Sequence, residues 1–275
     1  MNKEKCNFLI GIVLYNENIS SASTVVSLMS IADFLNSENA KLIIWDNSPT
    51  IQSEKNLKAL SKFSNVDYFH TPENLSLSKI YNRMYLGNQE FTHLILFDQD
   101  SRPDQNYFEK MLKAILDNVE INLFLPIIKV KDLIVSPADR FIINGKYWKK
   151  EYIGLVNAKK RLAITSGMAI NLNYLLDNNP AFDENLTLYG IDTDFMIQYE
   201  KVNTFFYVVN YVMEHDLSFF SNELIQKKAL RYKNQREALL TIALKESYPK
   251  YVIANFIMIF STLRLSWKYK SNKFI

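Results

Sequence analysis

Four apolar residues, Leu94 to Phe97, run straight into Asp98-Gln99-Asp100, and a long amphipathic pattern begins soon after Pro103. This is the signature of a buried strand ending in a carboxylate-bearing turn before a helix, Tyr107 to Asn118. The same grammar occurs three times upstream. Phe8 to Tyr15 leads into the helical spacing of Ser23 to Asn36, and Lys41 to Trp45 closes on Asp46-Asn47-Ser48-Pro49 before a helical pattern to about Phe63. Val66 to Phe69 passes through Thr71-Pro72 to a helix near Ser78 to Leu86. Four such alternations with short connections predict an α/β chain with a Rossmann-like, mostly parallel sheet flanked by helices.

In such a sheet ligands gather outside the carboxyl ends of the strands. The alternation places Tyr15 and Asn16, then Asp46, Asn47 and Ser48, then Asp98 and Asp100 at that one edge. A single polar cap after a strand is an ordinary turn, but three converging on one edge point to a nucleotide pocket. Two carboxylates one residue apart also suit a hard divalent cation, since Mg²⁺ is usually held by one or two carboxylates plus substrate phosphates.

Beyond Leu123 to Val130, a further strand, the regularity breaks. Residues 131–160 show no dominant period and are expected to hold a short hairpin over the site. Leu162 to Leu172 is apolar around Ser166-Gly167, Ile191 to Val202 reads as a helix, and Phe205 to Met213 as a strand; from Leu224 the pattern is helical. With 275 residues, 48% hydrophobic and 22% charged, the chain buries a substantial core and is not disordered. Its single cysteine, Cys6, forms no internal disulfide, and no Cys and His cluster has structural-zinc spacing, so a reducing, cytoplasmic setting is expected. Lys3 and Lys5 before the first apolar run imitate a signal peptide, but Asn16-Glu17-Asn18 follows at once, and a first strand is the better account.

Taken in order, these pieces resemble the family 2 glycosyltransferases of GT-A fold, and within them the rhamnosyltransferase-like branch. The matching residues are Tyr15-Asn16, Asp46-Asn47-Ser48, Glu73-Asn74 with Asn82, the FDQDSRP stretch, Ser166-Gly167, Phe182-Asp183-Glu184, Gly190 to Asp194, and His215 after a strand. The resemblance implies a catalytic domain over residues 1–218, with a nucleotide-sugar half to about 130 and an acceptor half from 131, followed by a basic helical extension over 219–275. It implies an inverting transfer from a nucleoside-diphosphate sugar, dTDP-rhamnose being the branch's donor, to a glycan or lipid-linked saccharide during cell-surface polysaccharide synthesis. By the same resemblance Asp46 reads the base and Asp98 contacts the ribose or metal shell. Asp100 ligates Mg²⁺ or Mn²⁺ with His215 as a second ligand, and Asp192 is the general base. Asn74 and Asn82 belong with the donor, and Ser166, Gly167 and Asp194 with the acceptor. The chain departs from the pattern where Ser76, Ile80 and Met84 replace small residues and where Gln198 replaces a common Arg.

Other readings of the same residues stay open at this point. Asp192 and Asp194 would also favour the positive end of a helix, and His215, between Glu214 and Asp216, would also suit an exposed pair. The strand ending in Asp98 is similar to the nucleophile motif of haloacid-dehalogenase phosphatases, although that motif opens its fold and here three units precede it. A non-catalytic, membrane-associated partner of a polysaccharide assembly complex is the rival from another class. From Gln226 onward eleven Lys and Arg face two acids, a balance of +9 that leaves −6 for the rest of a chain of net charge +3. No recognised nucleic-acid module accompanies this basic run. The apolar run Tyr251 to Leu263 falls short of the roughly 20 residues a spanning helix needs. With Arg264, Trp267, Lys268, Tyr269, Lys270 and Lys273 behind it, it suggests a peripheral anchor on an anionic membrane face, with packing on the catalytic domain or a second subunit of a homodimer as the alternative.

Overall fold

The computed structural model describes residues 6–142, 144–214 and 224–274. Its first half follows the alternation: β1 (Phe8–Leu14), α1 (Ser23–Ser30), α2 (Ala32–Ser37), β2 (Lys41–Asp46), α3 (Glu54–Ala59), β3 (Val66–His70), α4 (Leu77–Leu86), β4 (His93–Asp98) and α5 (Gln105–Asp117). The single helix expected over Ser23 to Asn36 is two, because Ile31 leaves helical geometry at φ −121° and ψ 21°. Helix α5 begins behind Pro103, where the Asp104 carboxylate accepts from the Tyr107 N–H at 3.0 Å and satisfies an end donor. There follow β5 (Leu123–Val130), β6 (Leu133–Phe141), β7 (Asn144–Trp148), β8 (Gly154–Asn157), β9 (Arg161–Leu162), β10 (Met168–Asn171), α6 (Leu172–Asp177), α7 (Ile191–Val202), β11 (Phe205–Glu214), α8 (Ile225–Glu246) and α9 (Tyr248–Tyr269).

The main sheet runs β3-β2-β1-β4-β10-β5-β11-β8. Strands β1 to β4 are mutually parallel where they pair, β10 is antiparallel between β4 and β5, and β11 is parallel to β5. The sheet grows from β1 towards β2 and β3 on one side and towards β4 on the other, so the edge above β1 and β4 is a topological switch point. Register sets Val13 beside Asp98 and Leu14 beside Asp46, which brings the three polar strand ends together.

Alternation along the strands divides the core into two layers. Leu9, Ile43, Leu94 and Leu96 face α4, α6 and α7, while Phe8, Ile10, Ile12, Leu42, Ile44, Ile95 and Phe97 face α1, α2 and α5. Gly11 allows α4 to lie close on β1, since a Cβ there would stand 2.6 Å from the Met84 sulfur.

The last two helices fold back on each other, joined at Ser247, whose hydroxyl caps α9 ahead of Pro249. Ala254, Met258 and Thr262, four residues apart, form the face of α9 turned to α8, where Tyr232 hydrogen-bonds the Thr262 hydroxyl and the Met258 carbonyl, both at 3.0 Å. Helix α8 in turn lies on the first core layer: Ile242 is fully buried in it, with Ala238 and Leu239 packed alongside.

Candidate active site

Above the switch point lies a cavity of about 1000 Å³. Val13, Tyr15, Asn47, Asn74, Asp98, Gln99 and Asp100 line it from the strand ends and the loops that follow them, with Tyr81 on α4. The loop Asn185 to Tyr189 and the helix α8, through Asn234, Glu237, Ala238 and Thr241, also line it. Among the described residues lining it there are three carboxylates, Asp98, Asp100 and Glu237, and no Lys, Arg or His. The β6–β7 hairpin exists, but none of its described residues lines the cavity. The hairpin over the site is therefore a misplacement: β6 pairs with β5, β7 and β9 instead.

The turn after β4 is held from below and from the side. Ser166, fully buried, accepts from the Asp98 N–H at 3.2 Å and meets the Ser101 hydroxyl, while the Gly167 N–H donates to the Leu96 carbonyl at 2.6 Å. Gly167 has φ +78°, and a Cβ there would run into Pro126 at 2.9 Å. Gln99 turns back to accept the Tyr15 N–H at 2.8 Å, which ties the ends of β1 and β4 and leaves Asp98 and Asp100 facing the cavity.

The second strand end has a different job. Asp46 is fully buried and accepts from Ser48 N–H at 3.0 Å, Gln52 Nε2 at 3.0 Å and the Tyr68 hydroxyl at 2.8 Å. Asn47 donates to Asn74 Oδ1 at 2.9 Å and the Leu75 carbonyl at 2.8 Å, and accepts from the Thr71 hydroxyl at 2.7 Å and Leu75 N–H at 3.1 Å. Asn47 thus touches the cavity with its hydrogen-bonding capacity spent on the loop that presents Asn74. Ser48 accepts from the Asn16 N–H at 2.9 Å and so fixes the chain after β1.

Several residues named from the sequence are therefore not among those that line the cavity: Asp46, Asn16, Ser48, Asn82, Ser166, Gly167 and Asp194. Asn82 is buried in α4 and clamps the Phe182 segment, accepting its N–H at 3.1 Å and donating to its carbonyl at 2.8 Å. Asp194 is buried and accepts from Lys245 Nζ at 2.9 Å and Gln198 Nε2 at 3.0 Å. Asn82 and Asp194 are thus polar groups whose partners are protein, as buried polar groups require.

Asp192, half-buried on the first turn of α7, is also off the lining but in electrostatic reach of it. Burial pushes its carboxyl up to about 6, with the charge of Asp98 acting in the same direction, against the N–H of Thr193 at 2.7 Å. The buried Tyr81 hydroxyl is raised far above its ordinary value by burial and then by the charges of Asp98 and Asp192. A carboxyl poised near neutrality beside a cavity is a candidate proton acceptor.

Among the described residues no group of three His, Cys, Asp or Glu is set to hold a metal ion. Asp98 and Asp100 supply two hard oxygen donors at the cavity edge, a set that fits a divalent cation whose remaining ligands are phosphates and water. His215 lies outside the described residues.

Little in the sequence pointed to α8 as a wall. Gly190, at φ +78° before α7, meets it so closely that a Cβ would stand 2.9 Å from Ile242 and 3.2 Å from Ala238. Lys245 bridges Asp183 at 2.8 Å and Asp194 at 2.9 Å. Glu246 pairs with Arg140 at 3.5 Å and Lys250 at 2.6 Å, and Arg140 also meets Glu200. The basic extension is thus not a separate electrostatic object, because adjacent charges at its turn fasten it to the fold. The available signal was the small and apolar spacing Ala238, Ile242, Ala243 within the apolar C-terminal half of a helix whose N-terminal half is basic.

No protein-family profile matches the chain, and no curated protein matches it. Solved structures do. S. aureus TarS 1–349 superposes with a TM-score of 0.54 at 16% identity, covering 86% of this chain and 65% of that one. The same protein in complex with UDP-GlcNAc gives 0.55 at 15% identity, over 86% and 66%. GalNAc-T7 with UDP, GalNAc and Mn²⁺ gives 0.59 at 14% identity, over 86% and 48%. The chain spans less than two thirds of the length of each. The mostly parallel sheet flanked by helices, shared with these glycosyltransferases, gives this chain the GT-A fold.

Proposed function

We propose that the protein is an inverting glycosyltransferase that moves a sugar from a nucleoside diphosphate to a saccharide hydroxyl. The observation that carries this is the cavity at the switch point, where Tyr15, Asn74, Asp98 and Asp100 converge and Asp192 is poised near neutrality. The bound UDP, UDP-GlcNAc and Mn²⁺ of the solved relatives support the same reading. Asp192 takes the proton of the acceptor hydroxyl as its oxygen attacks the anomeric carbon. The bond from that carbon to the diphosphate oxygen breaks, and the nucleoside diphosphate leaves with the electron pair, so a single displacement inverts the centre. Asp98 and Asp100 would hold Mg²⁺ or Mn²⁺, which offsets charge on the leaving group when bound. A diphosphate facing those two carboxylates, in a cavity with no basic side chain among its described lining, would otherwise be repelled. Tyr15 and Asn74, both exposed, are the side chains placed to meet the nucleoside and sugar.

The fold domain over residues 1–218 carries this chemistry, and α8 and α9 serve recognition and location. No described helix is long and apolar enough to cross a membrane. On α9, Phe256, Phe260, Leu263 and Trp267 instead make an exposed stripe at spacings of four, three and four, on the side away from Ala254 and Met258. With Arg264, Lys268 and Lys270 beside it, this stripe is suited to lie on the anionic inner face of a membrane where a lipid-linked saccharide is presented.

Calorimetry with UDP and dTDP, with and without Mn²⁺, followed by product analysis with UDP-GlcNAc and dTDP-rhamnose, tests the function. Binding that requires the ion and is lost in Asp100→Ala is the expected result. Equal affinity in EDTA overturns the metal assignment, and no binding of any nucleoside diphosphate overturns the function.

A further inference from the structure

Helix α8 carries two acids among its many bases, and they are treated differently. Glu246 is spent on Arg140 and Lys250. Glu237 is exposed and lines the cavity; no ion pair to it exists among the described residues, although Lys233 and Arg236 lie on the same helix. Asn234 and Thr241 line the cavity with it, at spacings of three and four residues, so the three side chains form one polar row about 10 Å long at 1.5 Å per residue. The Thr241 hydroxyl donates to the Glu237 carbonyl at 2.9 Å, leaving its oxygen to accept. The row lines the same cavity as Asp98 and Asp100, and the volume of about 1000 Å³ is at the upper end of the usual range for ligand pockets.

We propose that this row is the acceptor subsite, in which Glu237 accepts hydrogen bonds from the hydroxyls of an uncharged saccharide while Asn234 and Thr241 fix its register. The inference rests on the glycosyl-transfer reading and deepens it. If the donor's diphosphate sits at Asp98 and Asp100, the row on α8 is a polar part of the lining that remains for the acceptor. A carboxylate with no ion-pair partner among the described residues takes up vicinal hydroxyls well, because ionised acceptors make the stronger hydrogen bonds. It also repels a sugar carrying a carboxylate or phosphate at the same place, and no basic side chain of the described lining offsets that repulsion.

The test uses the full chain with saturating UDP and Mn²⁺, titrated with neutral disaccharides and their uronic-acid counterparts and followed by saturation-transfer NMR. Wild type is expected to bind neutral members and to disfavour the uronates by about tenfold. Glu237→Gln should weaken neutral binding and erase the preference while leaving UDP affinity unchanged, and Asn234→Ala should weaken binding without changing the preference. The subsite is overturned if Glu237→Gln keeps the wild-type preference, if it weakens UDP instead, or if wild type binds UDP but no disaccharide. A wild type that binds no nucleoside diphosphate overturns the glycosyl-transfer reading and the subsite with it.

Discussion

The strand-end edge and the α8 wall line one cavity, yet they are held in opposite ways. At the edge, polar side chains are buried and saturated: Asp46 has three donors, Asn47 four partners, and Ser166 lies under Asp98. On α8 the anchoring is apolar around Gly190 and Ile242, supplemented by Lys245 and Glu246, and the cavity-facing side chains are exposed. Reacting atoms need fixed positions, which a hydrogen-bonded strand end provides. Recognition of one acceptor over another tolerates a helix face whose residues change without disturbing the core. Substitutions at the edge should therefore cost stability or chemistry, and substitutions on the wall should change what is bound.

The largest effect is expected at Asp192. Its base form accumulates above about 6, so kcat/KM should fall as the pH drops below that value. Asp192→Asn should lose about 10²–10⁴-fold in turnover, lack that acid limb, and keep UDP affinity. Because the folded carboxyl titrates above its unfolded value, its ionisation opposes folding, at a cost that grows as the pH rises from the unfolded value to about 6 and is constant above it. The variant should accordingly be more heat-stable than wild type at neutral pH, by at most about 3 kcal/mol, with the gap closing in acid. Near-normal turnover, with loss in Asp194→Asn instead, would move the role to a residue now paired with Lys245.

Asp46→Ala should come next, as a stability effect. It leaves the donors of Gln52, Tyr68 and Ser48 without their acceptor, at a cost of about 3 kcal/mol in denaturant unfolding. Burial and then the hydrogen bond to Asp46 hold the Tyr68 hydroxyl at about 12, so the variant should bring its titration down towards an ordinary phenol. Loss of UDP affinity with unchanged stability would restore Asp46 to the nucleotide site.

What was legible in the sequence follows from how locally each feature is encoded. Strands β1, β2, β4, β5 and β11 are apolar runs bounded by turns, and α7 starts at a glycine, so their bounds come from adjacent residues. The convergence of Tyr15, Asn47 and Asp98 was legible for the same reason, because a parallel alternation fixes which strand ends share an edge. Whether a polar side chain at that edge faces the ligand or the protein was not: Asp46 and Asp98 look alike in sequence, and only Gln52 and Tyr68, brought in from elsewhere, tell them apart. The role of α8 was hidden because its contacts, Gly190 with Ile242 and Asp194 with Lys245, span about fifty residues and leave no local pattern.

Lys245→Met tests how α8 is fastened, with a cost of about 2 kcal/mol from two lost charged hydrogen bonds. Burial alone would raise Asp183, but the hydrogen bonds from Lys245 and Asn185 outweigh it and hold the carboxyl low. Burial alone would lower Lys245, and its two carboxylate partners raise it. The pair's contribution is therefore lost as pH falls through the depressed carboxyl value or rises through the elevated amine value. The deficit of the variant should be flat through neutral pH and shrink at both extremes. A deficit that grows in acid would mean that other contacts hold the helix.

The smallest single effects are expected on the far face of α9, where nothing in the fold depends on the side chains. Phe260 is 70% exposed and Trp267 85%, and the neighbouring bases leave the stripe apolar along its middle and positive at its flank. Trp267→Ser or Lys268→Gln should each weaken binding to anionic vesicles by on the order of 1 kcal/mol, the second only at low salt, with turnover on soluble substrates unchanged. Neutral vesicles should bind poorly, since the apolar stripe alone is short and the bases supply the rest. The competing occupant is a second copy of the chain. In that case sedimentation without lipid would show a dimer, Trp267→Ser would make it monomeric, and neither vesicle type would be bound. Such a result would move α9 from the membrane to a subunit interface, and it would leave the α8 wall and its acceptor row unaffected, since Ala254, Met258 and Thr262 hold the two helices together from the opposite face.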